Sequence, residues 1–114
     1  DIPHGVVCGT LIGETTRVTI DALFAEPEKH AIALRKYARA GAILAAMHPS
    51  NQREDCSLLI ATLRDWIERT RIPRLGTYGI SESDFPAILA KTNGKNSPAT
   101  LSREQMAAIL KARL

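Results

Sequence analysis

Asn51–Ile67 reads NQREDCSLLIATLRDWI, and this stretch decides the fold class. Cys56, Leu59, Ile60, Leu63 and Ile67 recur at spacings of three and four, the period of one helix face. Asn51 is a good N-cap, and Glu54 three residues later is its capping-box partner. Asp65 and Arg69 stand at i,i+4, a spacing at which opposite charges pair on a helix. Pro73 ends the segment.

The neighbours on both sides carry the same period. Upstream, a segment opening at Glu26-Pro27 and running to about Met47 places Leu34, Tyr37, Gly41 and Leu44 on one face. Lys29, Arg35, Lys36 and Arg39 form its wet face, and His48-Pro49 stops it. Before that, Pro3 to about Phe24 reads as a helix, with Pro3 at a first helical position. Gly5, Gly9 and Gly13 fall four apart on one stripe of it. Each glycine costs about 1 kcal/mol of helix stability relative to alanine. Three in register point to a close approach, either by a neighbouring helix or by a substrate.

Downstream, Arg71–Gly79 reads as a connector. Ser81 with Asp84 opens a short helix carrying Phe85, Ile88 and Leu89, which Asn93-Gly94 closes. Ser102 with Gln105 forms a second capping box, and Leu101 with Met106 has the spacing of a hydrophobic staple. No alternating strand pattern and no repeat of fixed period is present. The reading is one all-α domain over residues 1–114, a bundle of about five helices.

Composition narrows the function classes. At 114 residues the chain holds one domain, and 45% apolar residues are too many for disorder. Aromatics are 4%, so the core is built from Ala, Leu, Ile and Val. The net charge of +3 is spread out, with no Lys/Arg run of the kind that binds nucleic acid. No apolar stretch approaches the roughly 20 residues that span a bilayer, so no membrane partner is expected. Cys8 and Cys56 make no disulfide framework, and a reducing cytoplasm is the default. The chain begins on Asp1, and nothing after it resembles a signal peptide.

Chemistry has few candidates. His4 lies in the first turn of the first helix, and a neutral imidazole there is the form that ligates a metal. Cys8 is one turn further and either faces the same place or is a small buried hydrophobe. Cys56 belongs to an apolar stripe. His30 and His48 read as solvated, and Ser50, Ser81 and Ser102 read as caps. There is no CxxC, HExxH, phosphate loop or paired-carboxylate constellation, so no catalytic residue is assigned. If His4 binds a metal, most of its partner ligands lie elsewhere.

Ile2-Pro-His-Gly-Val-Val-Cys-Gly-Thr-Leu11 resembles the Pro-His-Gly segment that opens the C-terminal helical domain of iron-containing alcohol dehydrogenases. Asp65–Ile80 resembles that family's helix, its Pro-x-Arg-Leu-type connector and the start of the next short helix. Asn96-Ser-Pro98 followed by Leu101–Gln105 resembles its closing segment. The related dehydroquinate synthases usually follow their His-Gly with Glu-Ala-Val, whereas Val6-Val7-Cys8 follows here.

The resemblance implies a metal-dependent, NAD(P)-linked enzyme that interconverts an alcohol with an aldehyde or ketone. The family's metal is Fe(2+) or another divalent ion such as Zn(2+), held by one aspartate and three histidines. Only the last of these, His4, falls in this chain. The nucleotide-binding domain, with its glycine-rich turn for NAD or NADP, precedes the helical domain in the family. The chain is therefore expected to be the rear part of such an enzyme, inactive when isolated. A small-molecule alcohol or aldehyde and further copies of the chain are its expected partners. The first helix is expected to fray or to make dimer contacts where the upstream half is missing. The rival reading is a non-catalytic helical interaction module that uses its basic face.

Overall fold

The computed structural model describes all 114 residues and contains helices and no strand. Five α-helices follow one another: α1 (His4–Phe24), α2 (Ala31–Leu44), α3 (Gln52–Arg69), α4 (Phe85–Lys91) and α5 (Arg103–Ala112). Two short 3-10 turns, Leu75–Tyr78 and Glu82–Asp84, sit in the connector before α4. The all-α bundle of about five helices expected from the sequence is the fold observed.

Most helix starts lie where their capping residues put them. Asn51 accepts the Glu54 backbone N–H at 2.9 Å. The return bond differs from a standard capping box: the Glu54 carboxylate takes the Ser50 hydroxyl at 2.8 Å instead of the Asn51 amide. Ser102 and Gln105 form the reciprocal pair, at 3.1 and 2.8 Å. Ahead of α4, the Asp84 carboxylate accepts from both the Ser81 N–H and the Ser81 hydroxyl, at 2.9 and 3.0 Å. Pro3 is the N-cap of α1 rather than its first helical residue, and its carbonyl accepts from Val6 and Val7.

Helix α2 is shorter than its sequence pattern at both ends. Residues 26–30 form turns, and the helix begins at Ala31. Its other end is set three residues before Pro49. Ala46 adopts a left-handed conformation (φ 54°), Ala46 N–H donates to Ile43 O and Met47 N–H to Ala42 O. That is a Schellman end, with alanine where glycine is usual. Helix α3 closes the same way, with Arg71 at φ 53° and Ile72 N–H donating to Ile67 O. Neither proline is the immediate stop. The peptide groups are satisfied by the left-handed turn before each proline is reached.

Packing places α1 at the centre. Helices α2 and α3 form the most extensive pair, and α1 lies against both. Ile20, Ala38, Cys56, Leu59 and Leu63 fill the space between the three. The opposite side of α1 meets α5, and there Leu75, Phe85, Leu89 and Leu110 form a second cluster. Leu23 and Leu34 meet Ala99 in a third. Helix α1 is an unbroken 21-residue helix shared by both sides of the bundle. The most exposed large apolar side chains lie on or just after α2, at Ile32, Ile43 and Met47.

The α2–α3 pair closes to backbone contact at Gly41. A Cβ placed there would overlap the Asp55 carbonyl oxygen and lie 3.0 Å from the Leu59 nitrogen. Two glycines of the α1 stripe are approached in the same way, but by side chains: Ile72 faces Gly9, and Ile67 and Arg64 face Gly13. Gly5 faces open space. Packing of α3 and of the connector after it thus accounts for two of the three glycines.

Gly41→Ala is expected to lower the unfolding free energy by about 1–3 kcal/mol through overpacking. This should occur despite alanine's roughly 1 kcal/mol advantage in helix propensity. Urea denaturation measures it, and an unchanged midpoint would contradict the close approach. Ala46→Gly should act oppositely. Relief of the left-handed alanine, worth roughly 1–2 kcal/mol, exceeds the chain entropy that glycine adds, so the thermal midpoint should rise.

Candidate functional site

Pro3 fixes the start of α1 and leaves His4 as its first helical residue, exposed to solvent. Cys8 follows one turn later, and its Sγ lies 3.4 Å from His4 Nε2. Both side chains are exposed, so Cys8 is not the buried hydrophobe that free cysteines commonly are. Cys56 is that residue. It is buried, its thiol points to the Leu34 carbonyl at 3.8 Å, and burial together with the Asp55 carboxylate pushes its pKa up. A buried thiol held protonated is a packing group, not a nucleophile.

His30 and His48 do not join His4. His30 is half-buried at the start of α2, and His48 is exposed in the loop after it. No group of three or more His, Cys, Asp or Glu side chains converges within the chain. Ser50, Ser81 and Ser102 are all engaged at helix starts, as their positions suggested.

Beside this helix start lies a cavity of about 990 Å³. Val7, Leu11, Thr15 and Thr19 line it from α1. Ile88 lines it from α4 and Ile109 from α5, and residues 92–101 supply most of its rim. Its floor is buried and apolar, and residues 92–97 on the rim are exposed. Lys95 is the one charged side chain in the lining. His4, Val7, Leu11, Thr15 and Thr19 follow at spacings of three and four, so His4 heads the α1 stripe that forms the cavity wall.

Polar clasps hold this wall in place. Glu14 is 9% exposed and accepts from Arg17 Nε at 2.9 Å and from Arg64 Nη2 at 2.6 Å. The Arg64 contact ties α1 to α3. Burial works against the Glu14 charge, but the bonds from Arg17 and Arg64 outweigh it and hold the carboxyl below the usual range. At the other side, Arg113 Nε donates to the fully buried Thr10 hydroxyl at 3.0 Å, and Leu75 N–H donates to Arg113 O at 2.9 Å. These contacts join α1, the connector and the end of α5. Sequence reading did not single out Glu14, Arg64, Thr10 or Arg113. Their only local signal is the i,i+3 spacing of Glu14 and Arg17.

Comparison with protein-family models, curated proteins and solved structures finds no match.

The Glu14 clasp carries a pH signature. A carboxyl held low in the folded state stabilises the fold at neutral pH. It loses that contribution as pH falls through the carboxylate range, below about pH 4. The thermal midpoint should drop on acidification, and Glu14→Gln should flatten the drop while lowering the midpoint at pH 7. An acid limb identical in both proteins would show that other carboxylates carry it.

Proposed function

We propose that this helical domain forms the metal-ligating wall of a metal-dependent, NAD(P)-linked alcohol dehydrogenase, with His4 as one imidazole ligand. The observation that carries the reading is the position of His4. It is the first residue of α1, exposed, beside the Cys8 thiol and at the head of the helix stripe that lines the cavity.

The other segments of the resemblance fall at distinct places in the fold. The connector ends at Gly79, whose φ of 81° is a conformation that favours glycine. Asn96-Ser97-Pro98 follows α4, and Asn96 and Ser97 stand on the cavity rim. The Ser102–Gln105 box starts α5, which closes the far wall.

The donor chemistry fits a divalent metal in part. An exposed imidazole suits Fe(2+) or Zn(2+), and a thiol lies within one turn of it. Two donors do not complete a coordination shell. In this reading the remaining ligands come from other residues of the family's helical half, and the NAD or NADP site from its nucleotide-binding domain. A divalent metal supplies Lewis-acid polarisation of the alcohol or carbonyl oxygen. This chain's residues present the imidazole, and the α1 stripe keeps an apolar wall beside it. The substrate is a small-molecule alcohol or aldehyde, and the active form is an oligomer in the cytoplasm.

A second reading draws on α2. Ile32 and Ile43 are each 64% exposed, and Arg35, Lys36 and Arg39 lie exposed on the same helix. Apolar side chains among basic ones suit a helical module that docks an acidic partner.

Metal binding separates the two. Loss of outer partners to a ligand already costs about 10–100-fold in metal affinity. In the full-length protein, His4→Ala should therefore weaken Fe(2+) or Zn(2+) binding at least tenfold and abolish NAD(P)-linked alcohol oxidation. The 114 residues alone should turn over no alcohol. Equilibrium dialysis and an absorbance assay of nicotinamide reduction read these outcomes. An unchanged metal affinity would favour the interaction module.

A further inference from the structure

We propose that the cavity between α1, α4, α5 and residues 92–101 binds a neutral molecule with an extended apolar body and one polar head. That places the substrate of the dehydrogenase reading among alcohols and aldehydes with medium or long aliphatic chains. The ligand class is argued from the cavity alone, and only its role as substrate rests on that reading.

Three observations carry the proposal. The volume, about 990 Å³, reaches the upper end of pockets that hold organic ligands. The floor is made of buried aliphatic side chains such as Leu89, Ile109 and Leu110, and no charged group is buried in it. A charged ligand body would therefore lose its hydration there with nothing to replace it. The polar groups stand at the rim, where Thr92, Asn93 and Asn96 offer neutral hydrogen-bonding partners. Lys95 is exposed, and an exposed charge contributes little to binding.

Length and direction follow from α1. Val7 to Thr15 spans eight residues, about 12 Å at 1.5 Å per residue, the reach of an extended chain of roughly ten carbons. His4 lies one turn beyond Val7 on the same stripe. The aliphatic body lies along this stripe, and the polar head meets Thr92, Asn93 and Asn96 at the rim.

The probe is N-phenyl-1-naphthylamine, a neutral apolar dye whose fluorescence rises on burial. The protein should bind it saturably at one site, and 1-decanol should displace it at least tenfold better than decanoate. Thr15→Trp fills an exposed part of the lining and should weaken dye binding at least tenfold, with circular dichroism and melting unchanged. If that variant does not fold, Ile88→Trp fills the α4 side and serves the same purpose. Absence of saturable binding would overturn the proposal. So would tighter binding of decanoate, which would make Lys95 the anchor of an anionic ligand. Dye binding that disappears as the protein is concentrated would also overturn it, because a second copy would then be the occupant. If decanol binds but His4→Ala leaves metal affinity intact, the cavity stands and the dehydrogenase reading fails.

Discussion

The contact of Gly41 with the Asp55 carbonyl and the Leu59 nitrogen is the constraint on which the bundle depends. Helices meet this closely only where a side chain is missing. Here the missing side chain lets α2 lie directly on the first turns of α3. That proximity brings Leu34, Ala38 and Cys56 close enough to bury one another and leaves a surface on which α1 can rest. Small residues do much of this work. With aromatics at 4% of the chain, the interior is built from short aliphatic groups. Such cores gain their dispersion energy from many close contacts rather than from a few large faces.

The second layer depends on α1 in turn. Its α3-facing side is held by apolar contacts and by the Glu14–Arg64 pair, and its other side becomes the wall of the cavity. The same helix therefore carries a packed face, a buried carboxylate and the exposed imidazole at its start. A change in how α1 seats on α3 moves His4 and the cavity wall together, because one rigid rod carries both.

How much of this was legible in the sequence follows from how local each signal is. The capping residues Asn51, Ser81 and Ser102 act three residues away, so they mark the starts of α3, the connector helices and α5 without knowledge of the fold. The stripe from Cys56 to Ile67 is equally local. Helix ends were less legible. Ala46 and Arg71 adopt left-handed turns that glycine usually takes, so the prolines beyond them looked like the stops. Contacts between distant residues left almost no trace. Glu14 and Arg64 are 50 residues apart, and nothing in either neighbourhood names the other. Cys8 carries two readings in the sequence, a partner beside His4 or a buried hydrophobe. Residue type favours burial for a free cysteine, but its position beside His4 at the exposed start of α1 decides otherwise. Pro3 marks the start of α1, one residue before the helical position its type suggests.

The bond from Arg113 to Thr10 joins residues 103 positions apart. Closing a loop of that length is slow, because the chain entropy is lost before the contact forms. The α1–α2–α3 layer has shorter connections and can assemble earlier. The cavity, by contrast, has walls from the first helix and the last. Its completion waits for the final turn of α5 to settle against α1, so the cavity is the last part of this fold to close.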